Sequence, residues 1–159
     1  MSAEARLVEL GITLPAAAAP VAAYVPTTLS GNLLFTAGQV AVGEHGLLAA
    51  GKVGGGVDLD VAVACARQCA LNVLAQVRVA LGTLDRVTRV VKLTVFVASD
   101  PSFTQQHLVA NGASELLADV FGDVGRHARS AVGVPSLPLD SPVEVEAIIE
   151  VAATSTGSR

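Results

Sequence analysis

The chain predicts an α+β domain in which two helices lie on one face of a mixed β-sheet. Three observations predict it. Two long segments, 58–82 and 103–122, carry apolar residues at three- and four-residue steps. Several shorter segments, rich in Val, Ile and Thr, read as strands bounded by Gly, Pro or Ser. Together they run in the order β-β-α-β-α-β-β, which alternates too little for a fully parallel sheet and too much for separate layers.

Residues 3–10 read as a short amphipathic helix stopped by Gly11 and Pro15, and PAAAAP at 15–20 as a stiff connector. Residues 1–20 are therefore expected to be an N-terminal extension ahead of a domain at 21–152. Strands are expected near 21–28 and 33–42, turned by Ser30-Gly31-Asn32. Residues 43–57 contain Gly54-Gly55-Gly56 and read as an exposed loop; the stretch lacks the Gly-Lys-Ser/Thr ending with which a phosphate loop reaches phosphate and metal. The strongest helix follows, capped by Asp58 or Asp60 and ended by Gly82. VVKLTVFVAS at 90–99 is a nearly continuous apolar run, read as a strand covered on both faces and broken by Pro101. The second helix ends at Gly122, two strands follow near 128–134 and 143–151, and 153–159 is expected to be a disordered tail.

At 159 residues the chain is long enough for one domain with a proper core. It is 52% hydrophobic but only 3% aromatic, so Ala, Val and Leu must build that core. Only 15% of residues are charged, too few to solvate a whole monomer surface, which points to self-association. The sheet face without helices needs a cover as well, and the chain has no helix left to supply one. A net charge of −4 argues against nucleic acid as a partner, and no apolar run is long enough to span a membrane. The N-terminus mixes acids with apolar residues, unlike a signal peptide, so a cytoplasmic protein is expected. Cys65 and Cys69 stand four apart on one helical face and read as small buried hydrophobes, with no further ligands at metal spacing.

The chemistry concentrates in GRHARSAVGVPSLP at 125–138. On a strand, Arg129, Ala131 and Gly133 share a face, and the two small residues leave space beside the guanidinium. Two readings are open: a planar fork for a carboxylate or phosphate, or a bridge to Glu144 or Glu146 on an adjacent strand. His127 titrates near neutrality and is a candidate base, but with no evident orienting carboxylate it reads as a surface residue. His45, in the loop, and His107, at a helix start, have no partner that spacing reveals.

AYVPTTLSGNLLFTAGQV, VVKLTVFVAS, VANGASELL and ARSAVGVPSLPLDSPVEVEAII stand in the order and spacing of the RidA/YjgF family, also called L-PSP endoribonucleases. The chain resembles a longer subgroup of that family over about residues 20–152. The resemblance implies a chorismate-mutase-like fold of the bacillus type, assembled as a homotrimer with a central barrel and three clefts between subunits. It implies that Arg129 binds the substrate carboxylate and that Glu144 is the active-site glutamate. It also matches Tyr24, Asn111 and Gly38 to pocket positions. Ala37 stands where the family has serine before that glycine, and Ala131 where it often has cysteine, a departure that bears on pocket shape. The implied reaction is hydrolytic deamination of small reactive 2-imino or enamino acids to 2-oxo acids and ammonia, with no metal or organic cofactor. Tyr24 has a second reading as an interface filler, and Glu144 as a counter-ion to Arg129. Two further functions compete: a non-catalytic carboxylate-binding trimer, and an endoribonuclease using Arg86, Arg89 and Lys92 with Arg126 and Arg129.

Overall fold

The longest strand organises the sheet. A computed structural model describes residues 1–20 and 23–153 and places β6 (Val87–Ala98) between β7 (Ala128–Val134), which is parallel to it, and β8 (Val143–Val151), which is antiparallel. β1 (Thr27–Ser30) and β2 (Leu33–Thr36) extend the sheet beyond β8, giving the order β1-β2-β8-β6-β7, and β3 (Gln39–Val40) also pairs with β8. A small hairpin of β4 (Val42–Gly43) and β5 (Gly46–Leu47) stands apart. The helices are α1 (Ala3–Glu9), α2 (Leu59–Leu81) and α3 (Gln106–Phe121). α3 makes the crossover that a parallel β6–β7 pair requires. The fold is the mixed-sheet α+β class that the sequence predicts, and among the described residues the short N-terminal helix and the two long helices stand where they are expected.

β8 shows why one face is a core. Val143, Val145, Ala147, Ile149 and Val151 are buried toward the helices, while Glu144, Glu146, Ile148 and Glu150 alternate onto the other face. β6 keeps the same faces only through two irregularities, at Val87/Arg89 and Val90/Lys92, which set Val90, Leu93, Val95 and Val97 inward. Its apolar run therefore has one face against helices and the other, with Lys92, Thr94 and Phe96, only half-buried. Phe35 and Val132 are exposed on that second face. Among the described residues no helix covers it.

α2 packs through Ala62, Cys65, Ala66, Cys69, Ala70, Val73 and Val77, side chains small enough to bring the helix axis close to the sheet. The Cys69 thiol lies 3.4 Å from the Val143 carbonyl oxygen, and burial pushes the pKa of both thiols up, as expected of inert core residues. α3 crosses α2 so closely at Gly112 that an added Cβ would stand 2.1 Å from the Val63 carbonyl oxygen. Leu74, Leu93, Leu116, Leu117 and Ile149 fill the centre, each worth about 1.5–3 kcal/mol of burial. The N-terminal helix joins this core: Leu7 is buried, and Glu4 accepts from Arg78 and from the Leu84 N–H.

Three local expectations change. The first strand begins at Thr27 rather than near 21, because Pro26 lacks the N–H that a ladder position needs; residues 21–22 lie outside the described residues. The second strand does not run unbroken to 42. From Phe35 to Gln39 the chain uses four steps against three from Ile148 to Val145, a bulge that lifts Ala37 and Gly38 out of the ladder. The stretch 43–57 is only partly an exposed loop. Val53 and Val57 are buried, and Val53 donates to Ala98 and accepts from Asp100, which ties the loop to the end of β6. The tail expected at 153–159 falls, beyond Ala153, outside the described residues.

Candidate active site in two halves

Parallel pairing sets Arg129 level with Leu93, Ala131 with Val95 and Gly133 with Val97, so all three side positions point to the helix face. Because β7 is the sheet edge, the Arg129 side chain reaches α3 instead of the core. His107, Asn111 and Ser114 recur at i, i+4 and i+7 on α3 and form the stripe that meets it. Nη1 of Arg129 donates to Asn111 Oδ1 at 3.0 Å and to Ser114 Oγ at 3.1 Å, and Nη2 donates to the His107 carbonyl at 3.1 Å. Both protons of Nη1 are thus committed. The Nε–H and one N–H of Nη2 have no partner among the described residues, and those two nitrogens share one edge of the planar group. A carboxylate fits such an edge with two parallel hydrogen bonds.

No carboxylate of the described residues stands within ion-pair distance of Arg129, so the bridge to Glu144 or Glu146 is not formed. Nor does Arg129 pair with Glu144 across neighbouring strands, because β6 lies between β7 and β8. Glu144 is level with Phe96 and Val40 on the open face, whereas Arg129 is on the helix face. With Leu93 opposite both Arg129 and Ala147, the two Cα atoms are roughly 14 Å apart, two strand spacings across and three residues along. The space expected beside the arginine also differs. Ala131 packs on the core, and a Cβ on Gly133 would stand 2.9 Å from both Gln106 Nε2 and Ser99 Oγ, which occupy that volume.

His127 is not a surface residue. It is half-buried, with Nε2 2.9 Å from Ser114 Oγ and Nδ1 2.6 Å from the Gly125 carbonyl oxygen. Burial holds its pKa below the usual value, the Gly125 carbonyl opposes that shift, and Arg129 adds to it by repulsion. Ser114, Arg126, His127 and Arg129 line a cavity of about 400 Å³ together with Glu115 and Gly125. Ser114 belongs to this cluster and was not among the sequence candidates; its place in the i, i+4, i+7 stripe with His107 and Asn111 is the signal that identifies it.

The second half is built by the bulge. Gly38 lies under the Glu144 side chain so closely that a Cβ there would stand 1.9 Å from Oε1. Burial, and then the like charge of Glu146, raise the Glu144 pKa. Tyr24 is 49% exposed and lies just before Pro26, whose carbonyl accepts from Ala37 N–H at 2.8 Å, so it borders the same end of β2. The candidate residues therefore fall into two groups, Arg129 with Asn111 on one face and Glu144 with Gly38 toward the other, with Tyr24 near the end of β2. Among the described residues no group of three or more His, Cys, Asp or Glu side chains is placed to hold a metal, and no helix is long and apolar enough to cross a membrane.

This sheet and this arginine-bearing edge strand define a class. Residues 4–151 match the family described as "YjgF/chorismate_mutase-like, putative endoribonuclease", and the chain belongs to it. It is 53% identical over 148 residues to Protein TCP17 of Trypanosoma cruzi, covering 92% of each chain. It is 50% identical, with a TM-score of 0.86, to a crystal structure of a protein of unknown function from Agrobacterium tumefaciens, covering 94% of this chain and 92% of that one. The E. coli protein TdcF, solved with bound serine, is 25% identical with a TM-score of 0.60, over 89% of this chain and 96% of that one.

Proposed function

We propose that this protein hydrolyses small reactive 2-imino and enamino acids to 2-oxo acids and ammonia, at clefts formed where copies of the chain meet in a homotrimer. The carrying observation is Arg129: Asn111, Ser114 and the His107 carbonyl fix its guanidinium, no carboxylate of the described residues lies in ion-pair distance, and the Nε–H and one Nη2 N–H are left without a partner among those residues. A half-buried fork of this kind, with no carboxylate of the described residues in ion-pair distance, is suited to a substrate carboxylate. Serine, bound by the relative TdcF, is itself a small amino acid with a carboxylate, which supports this substrate class.

Glu144 supplies the other need. A carboxylate whose pKa is raised takes and returns a proton more readily near neutrality. Starting from the protonated imine, Glu144 takes one proton of the water as its oxygen bonds to the imine carbon and returns it to nitrogen; the C–N bond then breaks to release ammonia, and the remaining hydroxyl proton passes to Glu144 or solvent as the C=O forms. Since Glu144 stands on the opposite sheet face from Arg129, a second copy must bring its Glu144 side to the first copy's Arg129 side. The uncovered sheet face, with Phe35 and Val132 exposed, gives that second copy an apolar surface to cover. Tyr24 would close the cleft from the second copy.

Imines generated in situ by an amino-acid oxidase and trapped by semicarbazide test the reaction: active protein lowers the semicarbazone yield. Glu144→Gln is expected to lose most of that effect and still bind 2-oxobutanoate. Arg129→Lys is expected to lose 2-oxobutanoate binding, because an ammonium cannot reproduce the fork. Wild type that leaves semicarbazone formation unchanged for alanine-, leucine- and methionine-derived imines would make a non-catalytic carboxylate-binding trimer the better account. Light scattering that gives the monomer mass at micromolar concentration would remove the shared cleft.

The family's description favours a second reading, endoribonuclease. Arg86, Arg89 and Lys92 are not among the residues lining the cavity that Arg126 and Arg129 share. Arg86 donates to the Leu81 and Ala152 carbonyls, and Lys92 to Ser130. Salt-sensitive RNA cleavage that co-purifies with the protein and vanishes in Arg129→Ala would restore that reading.

A further inference from the structure

We propose that Ser114 is a nucleophile, activated by His127, that accepts an acyl group from small anionic esters or thioesters entering the cavity at the α3–β7 edge. This activity shares Arg129 with imine hydrolysis but is a different reaction and does not use Glu144.

Hydrogen-bond directions carry the proposal. The Gly125 carbonyl only accepts, so His127 Nδ1 holds the ring proton and donates it across 2.6 Å. In that tautomer Nε2 is an acceptor. Arg129 Nη1 only donates, and it reaches Ser114 Oγ at 3.1 Å. The one hydroxyl proton of Ser114 therefore goes to Nε2, 2.9 Å away. The result is a serine hydroxyl aimed at a neutral imidazole whose far nitrogen is anchored, the arrangement that makes a weak nucleophile reactive. The orienting group is a main-chain carbonyl rather than a carboxylate.

The anchor is built in. Gly125 is buried, and a Cβ there would stand 2.4 Å from the Leu117 carbonyl oxygen, so only glycine brings this carbonyl beneath the ring. Serine inside a helix commonly bonds back to its own helix; here the hydroxyl leaves α3 for His127 and Arg129. Ser114 and His127 both line the cavity of about 400 Å³, with Arg126 and Arg129 giving it positive charge.

In the step itself, Ser114 Oγ bonds to the acyl carbon as its proton passes to Nε2. The carbonyl electron pair moves to oxygen, and the negative charge forms beside the Arg129 guanidinium. The intermediate collapses, the bond to the leaving oxygen or sulfur breaks, and Nε2–H protonates the leaving group. Water then repeats the sequence on the Ser114 ester, releasing the acid and restoring the hydroxyl. The groups facing the imidazole are Arg129 on β7, Arg126 before it, and Glu115 across the cavity on α3. Burial, and then Arg129, oppose protonation of the imidazole, while the Gly125 carbonyl favours it; the net effect lowers its pKa and favours the neutral base.

The full-length protein is treated with a fluorophosphonate probe and analysed by intact mass and peptide mapping. One adduct on Ser114 is expected. Ser114→Ala is expected to abolish it, and His127→Gln to slow it by about a hundredfold. Glu144→Gln is expected to label like wild type, so loss of imine hydrolysis in that variant leaves this proposal intact. Mono-4-nitrophenyl succinate is expected to give a burst of one nitrophenolate per chain and to react at least about tenfold faster than 4-nitrophenyl acetate. Ser114→Cys guards against misfolding of the alanine variant. Its thiol is expected to react with iodoacetamide ahead of buried Cys65 and Cys69, and to lose that advantage when His127→Gln is added. Absence of labelling in wild type, labelling that persists in Ser114→Ala, or equal rates for the neutral and anionic esters would overturn the proposal.

Discussion

Replacing Gly38 with alanine tests the Glu144 half-site with the least change elsewhere. Gly38 does not have a positive φ, so alanine is acceptable to the backbone. The added methyl would stand 1.9 Å from Glu144 Oε1, 2.8 Å from its carboxyl carbon and 3.0 Å from Cγ. Ordinary contact begins near 3.5 Å, so Oε1 must retreat by about 1.6 Å. The obstacle is the end of a flexible side chain, and rotating it costs about 0.5–1.5 kcal/mol. Gly38→Ala is therefore expected to unfold within a few degrees of wild type while its carboxylate moves toward water. Two readouts follow. The Glu144 pKa, followed by carbon NMR of the labelled carboxyl, is expected to fall toward the usual carboxylate range as burial is relieved. Imine hydrolysis in the semicarbazide assay is expected to drop roughly a hundredfold, the scale of a displacement of about 1 Å at a reacting group. An unchanged pKa with full activity would refute the placement of Glu144 against Gly38 as the working geometry. A collapse of thermal stability would show that the carboxylate cannot yield.

Gly112→Ala is expected to destabilise by about 1–3 kcal/mol in denaturant unfolding, because its Cβ would meet the Val63 carbonyl and force α2 and α3 apart. Glu144→Gln is expected to be more stable relative to wild type at pH 7 than at pH 4. A raised folded-state pKa gives stability that is full at low pH and lost as pH rises through that pKa, and glutamine removes the loss; calorimetry at the two pH values checks it. Glu4 is the opposite case, held below its usual pKa chiefly by its hydrogen bond to Arg78. Its contribution is present above the unfolded value and is lost as pH falls through the folded one, so Glu4→Gln is expected to cost about 1 kcal/mol at neutral pH and little in acid.

The parts legible in the sequence are those with a long, regular period. α2 shows a three-to-four-residue apolar step over six turns, and β8 alternates without a break, so both emerge at their observed places. What eluded the pattern is where periods slip. The two irregularities of β6 make its apolar run look two-sided, and the bulge at Ala37–Gly38 hides inside what reads as one strand. Strand order is likewise absent from spacing. Arg129 and Glu144 were each recognisable, but segments adjacent in sequence suggested adjacent strands, whereas the α3 crossover inserts β6 between them. His127 was visible as a residue and misplaced as an environment, because its partners are a main-chain carbonyl and a serine on another element.

If the proposed cleft joins two copies, the placement of Arg129 and Glu144 on opposite faces of one sheet would have a genetic consequence. A chain defective only at Arg129 still carries a sound Glu144 face, and the reverse holds for its counterpart. Co-expressed in equal amounts, two such inactive chains would assemble at random, and on the order of a quarter of their clefts would join one sound half to another. Two inactive alleles would then restore imine hydrolysis between them, whereas either inactive chain expressed alone would show none.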